Sequence, residues 1–354
     1  MTTFSKLTFA ALVPVCAVWA IAAPPRVTGN RPVVIEVPIP EGDPVFPEQR
    51  PEQQDQDLLA FLFPDDPAEA DADESDLPAP TTVLNQARKQ LLKYTSVSAR
   101  LVETVAVLER SFKAEGRYLQ TALKTNDWHM RLEMAVKVGD STGSLLEICD
   151  GSILWTRTDI ESGRRKERKE GKETLLLRRN VTEIMAAARK LGDQRTETAL
   201  MASFGLGGIP GLIAGIEQDM KFSSVREDTL SERPVYVVEG TWSEAFLQKA
   251  HRPGTPPASI LMLPTVPDAV RIYVDRETGF PHRFVYLKKV PGRNVQRPLL
   301  TLDFLDVVLN EPINADEFSY KEPEGVPVVE QTKMYVEYLT PRDAQAQPAA
   351  PSSR

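Results

Sequence analysis

A strict alternation of apolar and polar residues between positions 128 and 138 limits what this chain can fold into more than any other feature of its sequence. The apolar positions are Trp128, Met130, Leu132, Met134, Val136 and Val138, and the intervening ones are His129, Arg131, Glu133, Ala135 and Lys137. Successive side chains of a β-strand point to opposite faces of the sheet, so a period of two predicts a long strand with one buried face. Half-buried strands of this kind are typical of antiparallel sheets.

Runs of β-branched and aromatic residues recur along much of the chain and predict a sheet of many strands. The further predicted strands cover residues 97–108, 117–123, 145–149, 153–158, 173–177, 222–230, 235–242, 270–274, 282–288 and 300–308. Asp150-Gly151 predicts a tight hairpin between two of them, and residues 275–279, which end in Gly279, predict another. Short turns between consecutive strands favour a meandering antiparallel sheet.

Three segments show the apolar spacing of helices instead. The first begins near Thr81 or Thr82, either of which is expected to cap it, and the other two lie between Val181 and Asp219. Their apolar positions are Leu84, Ala87, Leu91 and Leu92, then Ile184, Ala187, Ala188 and Leu191, and finally Leu212, Ile213 and Ile216. Because strands and helices do not alternate regularly, the predicted fold class is α+β.

The first 22 residues have the organisation of a secretory signal peptide. Lys6 gives a short positive region, residues 7–21 are uncharged and mostly apolar, and Ala20-Ile21-Ala22 offers small residues for cleavage after Ala22. We therefore expect an exported protein that works in the periplasm or cell envelope. The alternative is anchoring by an uncleaved N-terminal helix, but Pro14 interrupts an apolar run shorter than the about 20 residues that span a bilayer.

Residues 23–80 differ in composition from the rest of the chain and are predicted to form a disordered linker. Positions 24 to 80 hold 12 of the 29 prolines and 14 Asp or Glu against 3 Arg, a net charge of −11. Since the whole chain carries −8, the remainder carries +3, which does not indicate a nucleic-acid binder. A Pro-rich segment of like charge buries too little apolar surface to offset its ordering entropy. The folded domain is expected over residues 81–340, followed by a disordered tail over 341–354.

The residue types that most often carry catalysis or bind metals form no recognisable pattern. His129, His251 and His282 lie far apart, and none belongs to a His-x-x-x-His metal pair. His129 and His282 fall out of phase with the apolar faces of their strands, so we expect both to face solvent. Residues 205–211 are rich in glycine, but Pro210 stands where a dinucleotide-binding loop has its third glycine. We expect no catalysis, no cofactor and no metal.

Four motifs occur in a fixed order along the folded region. They are Asp-Gly-Ser-Ile-Leu-Trp at 150–155, Tyr-Val-Asp at 273–275 with Thr-Gly-Phe-Pro at 278–281 and Arg-Phe at 283–284, Asn-Glu-Pro-Ile at 310–313 with Phe318, and Pro-Glu-Gly-Val at 323–326. In this order they resemble the superfamily that contains the periplasmic lipoprotein carrier LolA, the LolB acceptor and the RseB stress sensor. The resemblance implies a curved antiparallel sheet, an incomplete barrel, that is covered by helices around an apolar cavity for acyl chains.

The resemblance also implies that an apolar face of the sheet lines the ligand cavity. The candidate lining residues are Trp128, Met130, Leu132, Met134, Ile153, Trp155, Trp242, Phe284 and Tyr286. Methionine is flexible and polarisable, which suits a variable acyl chain, although it also fills ordinary cores. Periodicity does not distinguish a cavity from a face that packs against helices, so both interpretations stay open.

Two further segments have alternative interpretations. A basic segment between two predicted strands offers the candidate contact residues Arg164, Arg165, Lys166, Arg168 and Lys169. It is either a solvated hairpin loop or a surface that attracts anionic headgroups or an acidic partner. The apolar residues 58–63 inside the linker are either a weakly ordered cluster or a docking peptide.

These features together predict an exported, non-catalytic binding protein. It would hold a hydrophobic ligand, a lipid or a lipoprotein acyl chain, in a half-barrel cavity, with a membrane surface or an envelope protein as a second partner and no nucleic acid. The alternative is a sensory or structural interaction module of the cell envelope with the same fold and no transported ligand. A hydrolase is the third hypothesis.

Overall fold

The computed structural model describes residues 77–107, 110–121, 128–139, 141–162, 171–192, 197, 200–201, 204–250, 256, 260–261, 263–293 and 295–340. The predicted signal peptide, nearly all of the predicted linker with its apolar residues 58–63, the basic residues 164–169 and the predicted C-terminal tail lie outside these ranges. Those predictions and the domain boundaries drawn from them therefore stay predictions.

One sheet of twelve strands runs through the described part of the chain. The strands are β1 (Ser96–Val107), β2 (Arg110–Thr121), β3 (Trp128–Val138), β4 (Ser141–Gly151), β5 (Ile153–Ser162), β6 (Gly171–Asn180), β7 (Met220–Leu230), β8 (Arg233–Trp242), β9 (Ala269–Asp275), β10 (Pro281–Lys289), β11 (Gln296–Leu309) and β12 (Val328–Glu330). Their order in the sheet is β12, β6, β5, β4, β3, β2, β1, β11, β10, β9, β8 and β7. The sheet stays open because β12 and β7 stand at its two ends. The predicted α+β fold with an incomplete barrel is thus confirmed.

Eleven of the twelve strands form two meanders, β1 to β6 and β7 to β11, which are joined where β1 pairs with β11. Neighbouring strands in both meanders are antiparallel, whereas the remaining strand, β12, runs parallel to β6 with Val328 beside Leu176. The prediction of a purely antiparallel sheet is wrong at this edge. β12 has only three residues, all exposed, so no alternation marks it in the sequence.

The hairpin at Asp150-Gly151 is confirmed, and its geometry explains the sequence. Asp150 Oδ1 accepts hydrogen bonds from the N–H groups of Ser152 and Ile153 at 2.9 and 2.8 Å. Gly151 has φ of 94°, a backbone conformation that residues with a Cβ rarely adopt. The same arrangement recurs in the predicted late hairpin, where Asp275 Oδ1 accepts from two following N–H groups and Gly279 has φ of 68°.

Helix α1 (Pro80–Leu91) begins without the threonine cap that the sequence suggests. Its N-cap is Ala79, no side chain caps it, and Pro80 occupies the first turn. Proline suits that position because its missing N–H would have no intrahelical partner there. The predicted cap at Thr81 or Thr82 is therefore wrong, whereas Leu84, Ala87 and Leu91 are buried as predicted; Leu92 follows the helix and is exposed.

The two helices predicted between β6 and β7 are present. In α2 (Val181–Lys190), Asn180 caps the N-terminus by accepting a hydrogen bond from the Glu183 N–H at 3.0 Å. Ile184 and Ala188 are buried as predicted, but Leu191 follows the helix and is exposed. The third predicted helix is α3 (Gly208–Asp219), which buries Leu212, Ile213 and Ile216.

The helices gather at the two ends of the sheet. Helix α1 packs on α3 and on β7 and β8, while α2 packs on α5 (Thr332–Leu339) and on β5 and β6. A short helix, α4 (Glu244–Ala250), follows β8. Among the described residues, no helix is long and apolar enough to cross a membrane.

Strand register divides the sheet into two faces. On the inner face, Met130 lies opposite Cys149, and Cys149 lies opposite Leu154. All three are buried and belong to the main core together with apolar residues of α1, α2 and α3. The residues next to these three in their strands point to the outer face; they are Arg131, Ile148 and Trp155, which are again paired across the strands.

Residues 310–330, called the outer strap below, follow β11 and cross the outer face. Asn310 Oδ1 accepts a hydrogen bond from the Thr95 N–H at 2.9 Å where the strap begins. A 3₁₀ turn (Ala315–Phe318) packs on β3 and β4, and Phe318 meets His129 edge to face. The strap ends in β12, after which α5 begins. The final part of the chain therefore contacts both faces of the β1–β6 meander.

Candidate functional site

The inner face brings together most of the predicted ligand-contacting residues. Met130, Leu132 and Met134 of β3 are 1%, 1% and 4% exposed, and Phe284 and Tyr286 of β10 are fully covered. Trp242, at the end of β8, stacks on Phe246 with ring centroids 4.3 Å apart. All six predicted residues belong to one continuous apolar cluster.

Ile153 and Trp155 lie on the other face. Leu154, between them, is the residue that points to the inner face, opposite Cys149. Trp155 packs against Tyr320 of the outer strap, with ring centroids 5.2 Å apart, and Arg178 lies over its ring. These two residues therefore do not share a site with Met130 and the other inner-face candidates.

Trp128 is the first residue of β3 and pairs with Gly151. The basic candidates Arg164, Arg165, Lys166, Arg168 and Lys169 lie outside the described residues.

At the β4–β6 end of the inner face, polar groups are hydrogen-bonded to one another. Glu147 is partly buried, and its Oε1 accepts a hydrogen bond from the Thr156 hydroxyl at 3.1 Å. Arg179 donates to the Thr156 hydroxyl oxygen at 2.9 Å and to Gln331 Oε1 at 2.8 Å. Burial raises the pKa of Glu147, and the positive charge of Arg179 opposes that rise. The network connects the sheet to the residue that precedes α5.

A second hydrogen-bonded group lies where α3 begins. The Tyr118 hydroxyl donates to Gln120 Oε1, and the N–H of Ile209 donates to the Tyr118 oxygen. Gly208 has φ of 55°, and a Cβ there would lie 1.8 Å from Gln120 Oε1. Only glycine therefore fits between the start of α3 and this pair. The glycine-rich stretch 205–211 serves helix packing, since Leu206 and Ile209 beside Gly208 are buried.

Glu103 of β1 also lies on the inner face but, unlike Glu147, has apolar neighbours. It is 2% exposed on the inner face, and its neighbours in the adjacent strands are the apolar Leu302 and Ala114. Its Oε1 has no hydrogen-bond partner among the described residues. Burial raises the pKa of the Glu103 carboxyl to about 8, so the group is mostly protonated at neutral pH.

The hydroxyl of Tyr286 in β10, like the Glu103 carboxyl, is buried among apolar residues. The residue is 1% exposed, and its neighbours in the adjacent strands are Val270 and Leu300. Its hydroxyl oxygen has no hydrogen-bond partner in the described part of the chain. Burial raises the pKa of the Tyr286 hydroxyl, which keeps the group neutral and able to donate.

Sequence reasoning missed Glu103, although the sequence carries a signal for it. The inner-face positions of β1 are Val97, Ala99, Leu101, Glu103 and Val105. An acid in the apolar phase of an alternating strand is an exception that identifies a buried polar group. No equivalent signal marks Tyr286, because tyrosine is common on buried strand faces.

A separate groove lies between α1 and the β9–β10 hairpin. Its volume is about 340 Å³, and its polar walls include Lys89, Lys93 and Arg276 together with Asp275 and Glu277. Charges of both signs line it at close quarters. This groove is distinct from the apolar inner face and has no preference for one sign of ligand charge.

The histidine predictions need correction. His282 is 8% exposed and its Nδ1 lies 3.3 Å from the Phe304 carbonyl oxygen, so it does not face solvent. Burial lowers the pKa of His282. His129 is half-buried beneath Phe318. Across the described ranges, no group of three His, Cys, Asp or Glu side chains is placed to hold a metal ion.

A search of solved structures finds similar folds at low identity. MucB is 12% identical with a TM-score of 0.34, and the match covers 68% of this chain and 62% of that chain. A putative outer membrane lipoprotein-sorting protein domain from Vibrio parahaemolyticus is 8% identical with a TM-score of 0.26, covering 68% and 97%. LprF from Mycobacterium bovis is 14% identical with a TM-score of 0.32, covering 67% and 97%. This chain thus spans about three fifths of the length of MucB.

At identities of 8% to 14%, these matches concern the fold alone. No family model matches the chain, and a sequence search of curated proteins finds no significant match.

Proposed function

We propose that this chain is an exported, non-catalytic binding protein that holds a lipid or a lipoprotein acyl chain against the inner face of its sheet. The observation that carries the proposal is the continuous apolar cluster that Met130, Leu132, Met134, Phe284 and Trp242 form on the inner face of a sheet that does not close into a barrel.

The energetics of an acyl chain suit such a surface. Each buried methylene contributes about 0.8 kcal/mol, so about 12 methylenes contribute about 10 kcal/mol. This exceeds the about 4 kcal/mol at the lower end of the cost of immobilising a ligand. Met130 and Met134 lie two residues apart on one strand, where their flexible side chains can adjust to chains of different length.

The second candidate function is a sensory or structural module of the cell envelope in which the inner face is a filled core. The observation that favours it is the nearly complete burial of Leu132, Phe284 and Tyr286 by the protein's own side chains. The outer strap, which presents partly exposed ion pairs such as Arg117 with Glu317 at 3.0 Å, would then be a surface for protein partners.

Copurified lipid distinguishes the two functions. The full chain would be expressed in an exporting bacterial host, purified from its native compartment without detergent and extracted with organic solvent for mass spectrometry. We expect close to one acyl chain or lipid for each protein molecule. The lipid-binding function would be rejected if the amount of bound lipid were no higher than in an unrelated exported protein and the protein did not bind a fluorescent fatty acid. The interaction module would then be the remaining candidate function.

Two alanines on neighbouring strands offer a matched pair of variants. Ala114 of β2 is half-buried against the inner-face cluster, whereas Ala135 of β3 is exposed on the outer face. Ala114→Trp should fill the space beside Glu103 and reduce bound lipid several-fold, while Ala135→Trp should leave it unchanged. Equal lipid in both variants would contradict binding at the inner face.

A further inference from the structure

Two polar atoms on the inner face carry an inference that rests on the proposed function and deepens it. Glu103 Oε1 and the Tyr286 hydroxyl are buried in apolar surroundings without hydrogen-bond partners among the described residues. An unsatisfied buried polar group costs about 1 to 3 kcal/mol. Leucine and phenylalanine would avoid that cost at these two positions. A ligand that supplies the missing hydrogen bonds would give both side chains a function.

Strand register places the two groups on one surface. Glu103 lies opposite Leu302 and Tyr286 lies opposite Leu300, both on β11. β11 therefore separates the two residues, which stand two strands apart and are offset by two residues along β11, or about 12 Å between their Cα positions at the usual strand spacing and rise. Because both side chains are long and project from the same face, a ligand lying along β11 meets one on each side.

The chemistry of the two groups restricts the ligand. The tyrosine hydroxyl donates a hydrogen bond, and with its pKa raised to about 8 the Glu103 carboxyl also keeps a proton to donate at neutral pH. Two neutral donors in an apolar surface favour a neutral acceptor. A phosphate group would instead have to lose its hydration without a countercharge from either residue.

We propose that Glu103 and Tyr286 bind the carbonyl oxygen of an acyl ester, which fixes the position of a lipid's ester linkage over β11. The hydrocarbon chain then continues across β1 and β2 towards Leu132 and Met134 of β3, while the rest of the headgroup points away from the apolar cluster. An ordered water that bridges the two side chains is the competing explanation for how their missing hydrogen bonds are satisfied.

Binding of two probes of equal size tests this assignment. Delipidated full-length protein would be loaded with the fluorophore N-phenyl-1-naphthylamine, which is then displaced by methyl laurate, an ester, or by n-pentadecane, a hydrocarbon with the same number of heavy atoms. The ratio of the two dissociation constants is compared between variants, so that the different solubilities of the probes cancel.

We expect Glu103→Leu and Tyr286→Phe each to shift this ratio against the ester by about 5- to 10-fold, the value of one hydrogen bond. Both should leave n-pentadecane binding unchanged or stronger, which also reports that the variants are folded. Glu103→Gln should keep the ester preference, since the amide N–H can still donate. Glu115→Gln, on the exposed outer face of β2, is the control and should change nothing.

The possible outcomes separate the two proposals. If the protein binds both probes but neither Glu103→Leu nor Tyr286→Phe changes the ratio, the ester assignment is wrong while the hydrophobic binding function stands. The same conclusion follows if the variants alter stability only, as a bridging water would require. If the protein binds neither probe, the proposed function itself fails.

Discussion

The inner face contains two glutamates in opposite circumstances. Glu147 accepts a hydrogen bond from Thr156 and is influenced by the charge of Arg179. Glu103 lies between apolar neighbours, and its Oε1 has no partner in the described chain. Burial raises the pKa of both carboxyl groups, so burial alone does not separate them. The difference lies in their partners.

Two tyrosines repeat this contrast. The hydroxyl of Tyr118 is hydrogen-bonded to Gln120 and to the N–H of Ile209 at the start of α3, while that of Tyr286 has no partner among the described residues. The polar groups near α2, α3 and α5 are therefore satisfied within the protein. Glu103 Oε1 and the Tyr286 hydroxyl over β1 and β10 have no partner in the described ranges, which separates a structural region of the inner face from the proposed binding region.

The largest effect that would test this contrast is expected from Glu103→Gln at alkaline pH. The pKa of the Glu103 carboxyl is about 8 in the folded protein against 4.5 for the free group. Between these values the folded protein keeps a proton that the unfolded chain releases, so the free energy of unfolding falls as pH rises. Since an amide does not titrate, Glu103→Gln should be more stable than the parent near pH 9 by on the order of 3 kcal/mol.

Urea unfolding of the delipidated protein near pH 5, 7 and 9 measures this effect. The parent and Glu103→Gln should agree most closely at the lowest pH and diverge as pH rises. Glu115→Gln is a suitable control, because Lys113 lowers the pKa of that exposed carboxyl and gives no reason for a gain at high pH. Parallel pH profiles for the parent and Glu103→Gln would show that Glu103 has a partner after all.

A smaller effect is expected where the partners are present. Arg179→Met removes the charge near Glu147 and the donor to Thr156, so we expect a loss of about 2 kcal/mol in unfolding free energy. Arg178→Met is the matched control on the outer face, where Arg178 pairs with Glu330 and both side chains are substantially exposed. The control should lose less than about 1 kcal/mol. Equal losses in chemical denaturation would contradict the structural role of the Glu147 network.

The smallest expected effect compares the tyrosines directly. Tyr118→Phe breaks a hydrogen bond and should lower the free energy of unfolding by about 1 kcal/mol. Tyr286→Phe removes a hydroxyl that has no partner among the described residues, so stability should stay the same or rise by up to about 1 kcal/mol. Thermal unfolding of the two delipidated variants would give this comparison. A clear loss for Tyr286→Phe would mean that its hydroxyl is satisfied and would weaken the ester assignment.

Much of the fold follows from local patterns in the sequence. The alternation that begins at Trp128 predicts β3. In the two predicted hairpins, an aspartate accepts hydrogen bonds from N–H groups of the turn and a glycine adopts the positive φ that the turn needs. Such requirements act within a few residues and are therefore visible in one sequence. The same holds for the apolar spacing that predicts α1, α2 and α3.

The features that the sequence does not predict depend on distant contacts. In β5, apolar residues occupy both faces of the strand, since Ile153 and Trp155 alternate with Leu154. The sequence therefore does not show which of them points inward. The packing of the outer strap on Trp155 determines that Leu154 faces the core. β12 exists only because β6 offers an unpaired edge to three exposed residues. That the Tyr286 hydroxyl has no partner in the described part of the chain likewise depends on how strands far apart in sequence pack together.

The pairing of β1 with β11 has a consequence for how the chain reaches its final state. About 200 residues separate the paired positions Val97 and Leu309, and the outer strap follows immediately after β11. Contacts between such distant segments slow folding, because a long loop must close before they form. During biosynthesis the first six strands emerge well before the segments that complete them, which leaves their edges exposed to aggregation. A chain of this topology benefits from being kept unfolded until its C-terminal part is available, as export through a membrane channel would do.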